Sequence, residues 1–158
     1  METNTNFKNC YEDGIHSSDM AKLGNGAFQV MQKTIQYNGG VGTMSGYFDA
    51  DLSILSVSDL LLHNLGYSYT SLMQQTNGSL KNLFYGENVS FLENERFRQI
   101  QGEGEGQILT ADGSPVYVRL YKENAADTDG TPLWVMSVHM DWELENLALV
   151  SQSIGSAL

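Results

Sequence analysis

The chain has 158 residues, and its 19 acidic residues against 8 Lys or Arg residues give a formal net charge of −11 at pH 7. This length suits one domain with flanking segments, and the acidic balance excludes a free-standing nucleic-acid binder, which needs a basic patch to contact phosphates. Cys10 is the only cysteine, which excludes an intramolecular disulfide and a cysteine-based zinc or iron–sulfur site.

The first part of the chain, residues 1–26, is polar and without periodicity, which predicts an arm or a short docking helix. From Ala27 onward, apolar residues recur at spacings of three and four, the period of an amphipathic helix, and residues 38–40 (Asn-Gly-Gly) end that helix. Residues 41–48 and 52–57 are rich in β-branched and aromatic side chains, so they predict two strands joined as a hairpin.

The middle of the chain predicts short helices. One begins after Ser58, which can cap its amino end, and closes at Gly66. Three further helical segments are predicted at residues 69–75, 80–85 and 90–100.

The last part of the chain changes to an extended period. We expect residues 102–106 (Gly-Glu-Gly-Glu-Gly) to be a flexible connector. A strand at 107–111, a two-residue turn at Asp112-Gly113 and an alternating strand at 116–121 predict a hairpin. A final strand is predicted at 133–140, and the residues from Leu144 onward again have a helical pattern.

This order of elements predicts an α+β fold. Two groups of strands separated by helices cannot make a doubly wound parallel sheet, because that sheet needs strict alternation of strands and helices. One antiparallel sheet with helices on one face is therefore the expected architecture.

Three elements of the sequence, in this order and spacing, resemble the PAS sensor family. The first runs from Phe48-Asp49 to the Leu-Gly-Tyr-Ser run at 65–68. The second is the Thr-Ala-Asp-Gly-Ser run at 110–114, and the third joins Asp129-Gly130 to Asp141 through the last strand. The resemblance implies a PAS-like five-stranded antiparallel sheet of order 2-1-5-4-3, with short helices on one face and flanking N- and C-terminal helices.

The resemblance also implies a division of the chain and a role. Residues 1–26 would be a polar N-terminal arm, residues 27–142 a PAS-like sensor domain, and residues 143–158 a C-terminal signalling helix. Such a module senses a small ligand or a partner and relays the signal to a downstream histidine kinase, GGDEF or further PAS domain. It is a regulatory domain and not an enzyme. The alternative that stays open is a ligand-free PAS-like dimerisation or interaction module.

No set of catalytic or metal-ligating residues converges in the sequence. His16, His63 and His139 are scattered over the arm, a helix and a strand, at spacings that pair none of them for a metal. Residues 1–6 lack the basic and apolar parts of a secretion signal, and no run approaches the roughly 18 uncharged apolar residues that span a bilayer. We therefore expect a cytoplasmic protein without membrane contact.

Two groups of residues are candidates for binding. A small ligand held between the sheet and the helices could contact five large apolar side chains, for which plain core packing is the alternative role. These are Phe91, Phe97, Tyr117, Trp134 and Met136. The C-terminal residues repeat at spacings of three and four, which predicts a helical seam that forms a homodimer or, alternatively, docks on its own sheet. The seam contains Leu147, Val150 and Ile154.

The resemblance also bears on cofactors. Flavin-photosensing members of the family need a cysteine whose thiolate attacks the flavin, and the stretch 88–93 where it would be expected contains none. Haem-binding members use a histidine on the helix before the third strand, and residues 90–100 contain no histidine. We therefore expect neither flavin nor haem, and any small-molecule ligand remains unidentified.

An absorption spectrum tests this expectation. Freshly purified protein should show no visible band from flavin or haem after gel filtration, because the side chains that attach those groups are missing. A band that travels with the protein through the column would contradict the prediction.

Overall fold

The computed structural model describes residues 14–38, 42–86 and 89–140. These residues form seven strands in one sheet. The strands are β1 (Ile15–Ser17), β2 (Gly42–Tyr47), β3 (Ile54–Ser58), β4 (Phe84–Tyr85), β5 (Gly102–Leu109), β6 (Pro115–Ala126) and β7 (Pro132–Met140). The α-helices are α1 (Asn25–Asn38), α2 (Asp59–Leu65), α3 (Tyr69–Thr76) and α4 (Asn94–Gln99), and two 3-10 turns lie at Met20–Lys22 and Leu80–Asn82. None of the helices within these ranges is long and apolar enough to cross a bilayer.

The sheet is antiparallel throughout, with the order β1-β3-β2-β7-β6-β5-β4. The α+β class is confirmed, but the prediction of a five-stranded sheet was wrong, since the sheet has seven strands; the predicted order 2-1-5-4-3 holds only for its five central strands, β3-β2-β7-β6-β5. Two short strands extend the sheet at its edges, β1 beside β3 and β4 beside β5. Strands of two or three residues are too short to show an alternating pattern, which is why the sequence did not reveal them.

Four elements differ from the sequence-based expectation. Residues 15–17 are a strand and not part of an unpaired arm, and residues 84–85 belong to β4 and not to a helix. Residues 102–106, expected to be a flexible connector, form most of β5. Helix α4 is shorter than predicted because the Glu93 carboxylate accepts hydrogen bonds from the first amides of the helix and so fixes its start.

The sheet is covered on both faces. On one face, which we call the inner face, helices α2, α3 and α4 lie over the larger core, which contains Trp134 and Phe97. On the opposite, outer face, α1 packs through Phe28 and Met31 against Leu133 and other apolar residues. The sheet therefore has two apolar cores, and any space between α4 and the sheet lies on the inner face.

The turn after α2 connects this helix to the end of strand β5. Ser58 caps the helix, and Gly66 ends it in the left-handed conformation at φ 84°. The next residue, Tyr67, donates its hydroxyl proton to the carbonyls of Leu109 and Thr110, at 3.1 Å and 3.0 Å. The predicted cap and closing glycine are both confirmed, and the turn connects α2 to the end of β5.

Replacing Gly66 by Ala tests this turn. The added Cβ would lie 3.5 Å from the Ala111 Cβ, an ordinary contact, so the cost comes from the positive φ. We expect a loss of about 1 kcal/mol or more in the free energy of unfolding, measured by urea denaturation. Gly26→Ala is the control, because it places Ala in a helix where nothing lies within 4 Å. Equal midpoints for Gly66→Ala and the native protein would contradict the prediction.

Candidate functional site

A cavity of 280 Å³ lies between α4 and the inner face of the sheet. Its walls come from the loop before α4, from α4 itself and from strands β5, β6 and β7. The side chains of Phe91, Phe97, Ile100, Leu120, Lys122 and Met136 line it, together with residues 102–105 of β5. Five of these residues are apolar, Lys122 is the cationic residue of the lining, and Glu103 and Glu105 are its acidic residues.

The cavity exists because β5 presents glycines to it. Side chains alternate along a strand, and Ile108 of β5 lies in the inner core, so Gly102, Gly104 and Gly106 face the same side. A Cβ added at Gly102 or Gly104 would meet no atom within 4 Å. Gly104 is also exposed, so the space opens to solvent across this strand. The missing side chains of β5 leave the volume that a ligand could occupy.

Lys122 is buried on the same face as the cavity. It continues the alternation of Val118 and Leu120 along β6, and only 2 % of its surface is exposed. Its Nζ donates hydrogen bonds to the Ile100 carbonyl at 2.6 Å and to Asn124 Oδ1 at 2.8 Å. The ammonium group thus lies directly beneath the end of α4.

Lys122 and Asn124 together hold the carboxyl end of α4. The last carbonyls of a helix have no partner within the helix. Here Lys122 binds the Ile100 carbonyl, and Asn124 Nδ2 donates to the Arg98 carbonyl at 3.0 Å. Both side chains come from β6, so this strand fixes the position of the helix that covers the cavity.

The charge of Lys122 has aromatic neighbours but no acidic partner. Nζ lies 4.8 Å from the centre of the Phe97 ring and 5.2 Å from that of Phe48, within the range of cation–π attraction. In the part of the chain that the structure describes, no carboxylate forms an ion pair with it. Burial lowers the pKa of Lys122 from 10.5 to about 8, because a desolvated ammonium is destabilised relative to the neutral amine.

The structure brings together three of the five side chains suggested as ligand contacts. Phe91, Phe97 and Met136 line the cavity. Trp134 packs behind Phe97, with 6.0 Å between the ring centres, and its indole donates to the Tyr47 carbonyl at 3.0 Å. Tyr117 alternates with the inward-facing Val116 and Val118 and therefore lies on the outer face.

Sequence reasoning missed Lys122 and Gly104. The signal for both is a period of two. Every second residue from Val116 to Leu120 is apolar and faces the core, and the next residue in this series is Lys122. The glycines at 102, 104 and 106 also occupy every second position. The other suggested site residues, Leu147, Val150 and Ile154 of the helical seam, lie outside the described residues, as does Cys10.

The histidines do not form a site. Within residues 14–38, 42–86 and 89–140, no group of three His, Cys, Asp or Glu side chains could hold a metal ion. His16 stacks on Tyr69 at 5.8 Å, and its Nε2 lies 3.1 Å from Asp59 Oδ1 near the surface. His63 is exposed on α2.

Comparison with known proteins gives matches at the level of structure. No family model and no curated protein matches the chain. A PAS domain of an HTR-like protein from Haloarcula marismortui superposes with a TM-score of 0.53 at 14 % identity, over 72 % of this chain and 96 % of that one. A PAS domain from Desulfitobacterium hafniense superposes with a TM-score of 0.52 at 10 % identity, over 64 % of this chain and 92 % of that one. A light-oxygen-voltage domain studied with a flavin analogue superposes with a TM-score of 0.50 at 16 % identity, over 78 % of this chain and 93 % of that one.

The burial of Lys122 predicts how stability depends on pH. Its pKa is about 8 in the folded chain and has its ordinary value of 10.5 in the unfolded chain. Between these values the unfolded chain retains a proton that the folded chain has lost, so unfolding takes up a proton and stability rises with pH. Between about pH 7.5 and about pH 9.5, the free energy of unfolding of the native protein should rise by about 2 kcal/mol more than that of Lys122→Met.

The measurement is urea denaturation of both proteins across this pH range. Lys81→Met is the matched control, because Lys81 is exposed and its replacement should leave the pH profile unchanged. Parallel profiles for the native protein and Lys122→Met would show that Lys122 is not desolvated.

Proposed function

Since the described part of the chain has the fold of a PAS domain, we propose that the protein is a cytoplasmic sensory module that binds a small molecule in the cavity beneath α4. The observation that carries this proposal is the cavity itself, with its aromatic lining and the side chains missing from β5. Small-molecule sites are typically concave and mostly apolar, with few polar groups that fix orientation. This cavity has that composition.

The strands that line the cavity offer a route for the signal. Met136 contacts the cavity from β7, and the same strand continues to Met140, next to the C-terminal segment. A ligand that displaces Met136 or α4 would act on the strand that leads to that segment. In this proposal the segment passes the signal to a downstream histidine kinase, GGDEF or further PAS domain, in a homodimer joined through Leu147, Val150 and Ile154.

The role proposed is regulatory and not catalytic. Glu103 and Glu105 belong to the lining, but they alternate with the inward-facing glycines, so no carboxylate base accompanies the Lys122 amine on the inner face. Neither flavin nor haem is part of the proposal. The ligand is a small molecule that the cavity holds by apolar contact and by Lys122.

A ligand-free dimerisation module is the alternative, and the two roles differ in one respect. If the cavity is only a packing defect, small molecules do not bind there, and filling it improves packing without loss of function. If it is a ligand site, filling it removes binding.

Gly104→Val fills the cavity with little disturbance. The position has ordinary strand conformation, its Cβ would have no neighbour within 4 Å, and a β-branched residue suits a strand. We expect the variant to fold at least as stably as the native protein and to bind small aromatic fragments at least about tenfold more weakly. Saturation-transfer NMR measures binding, and urea denaturation measures stability.

Gln107→Val is the matched control. It places the same side chain on the same strand, three positions along, where the side chain points to the opposite face and lies outside the cavity lining. Fragment binding should match that of the native protein. If Gly104→Val binds fragments as well as Gln107→Val does, or if the native protein binds none, the ligand-site proposal is wrong.

A further inference from the structure

The Lys122 ammonium has one N–H group for which the described residues supply no oxygen or nitrogen acceptor. An ammonium carries three N–H groups. Two of them reach the Ile100 carbonyl and Asn124 Oδ1, and the described residues offer no third oxygen or nitrogen acceptor. The side chain also lines the cavity. A ligand in the cavity can therefore bring an acceptor to this group.

The charge of Lys122 indicates what kind of acceptor is needed. A buried charge is costly unless an opposite charge accompanies it, and the neighbouring acceptors here are neutral oxygens. A carboxylate would supply the missing charge, and its hydrogen bond with an ammonium is stronger than one between neutral groups. A neutral ligand would leave the charge uncompensated.

From these contacts we propose that the cavity binds an amphipathic monocarboxylate, with its carboxylate on Nζ of Lys122 and its apolar body against Phe91 and Phe97. This inference rests on the proposed function, because it takes the cavity to be a ligand site. Lys122 is the one cationic residue in the cavity lining, so a monoanion matches the site and a dianion would retain an unpaired charge.

The size of the cavity limits the apolar body. An engineered protein cavity of about 150 Å³ holds benzene. The cavity here measures 280 Å³, which allows an aromatic ring with a short chain that ends in a carboxylate. Edge contacts with the Phe91 and Phe97 rings suit such a ring.

The acidic surface of the protein does not exclude an anion. Glu103 and Glu105 are part of the cavity lining, but they alternate with the inward-facing glycines, so their side chains extend from the opposite side of β5. Repulsion by the net charge of −11 acts at long range and is screened over about 8 Å at physiological salt. The contact with Lys122 is short and desolvated, so it determines which ligand is retained.

The test compares an acid with its neutral analogue. 3-Phenylpropanoate and 3-phenylpropanamide have nearly the same shape and differ in charge, and calorimetry at physiological salt measures the affinity of each. The native protein should bind the acid at least about tenfold more tightly than the amide. Lys122→Met should lose this preference, and its affinity for the amide should stay within about threefold of the native value. The control Lys81→Met should behave as the native protein does.

The outcomes separate this inference from the proposed function. If acid and amide bind equally to the native protein and both are lost in Gly104→Val, the cavity is a ligand site and the carboxylate inference is wrong. If neither probe binds, or if Gly104→Val binds both normally, the proposed function fails and the inference fails with it. Circular dichroism verifies that each variant is folded. Should Lys122→Met not fold, the Lys122 Cε resonance of the native protein decides: it should shift with the acid and not with the amide.

Discussion

A positive charge lies between the carboxyl end of α4 and the inner face of the sheet, on the ammonium of Lys122. A helix as short as α4 has little stability of its own, so its position depends on what it is bound to. Lys122 and Asn124 bind its last carbonyls, and β6 thereby holds the helix above β5. Because β5 has glycines at 102 and 104, the helix covers a space and not a packed layer. The cavity, its cover and its polar group all depend on this one buried contact.

Most of the fold follows from local patterns. The cap at Ser58 and the closing glycine at 66 correspond to residue types that favour those conformations, and the structure has both. The two-residue turn predicted at Asp112-Gly113 is instead a longer connection, because β5 ends at Leu109 and β6 begins at Pro115, although Gly113 has the positive φ of a turn glycine. The edge strands β1 and β4 could not be predicted, because they depend on pairing with distant strands. The start of α4 depends on the side chain of Glu93, which overrides the longer helical pattern around it.

Only part of the site could be predicted, mainly because the glycines of β5 do not have the residue pattern of a strand. Phe91, Phe97 and Met136 were suggested as cavity residues because they are large and apolar. The run at 102–106 predicted a flexible connector, since glycine disfavours strands, but the pairing of every residue of β5 with residues 115–122 of β6 overrides that preference. Lys122 was missed because a lysine on the apolar face of a strand is rare. Tyr117, by contrast, could have been assigned to the outer face from the alternation alone.

The central claim is that Lys122 carries a desolvated ammonium without an acidic partner beneath α4. The most direct measurement is the pKa of this one amine, obtained from an NMR titration of its Cε and Nζ resonances in the ligand-free protein. The account predicts a pKa of about 8, well below the ordinary lysine value of 10.5. A pKa near 10.5 would show that water or an acidic group reaches the ammonium, and it would contradict both the geometry of the site and the ligand class inferred from it.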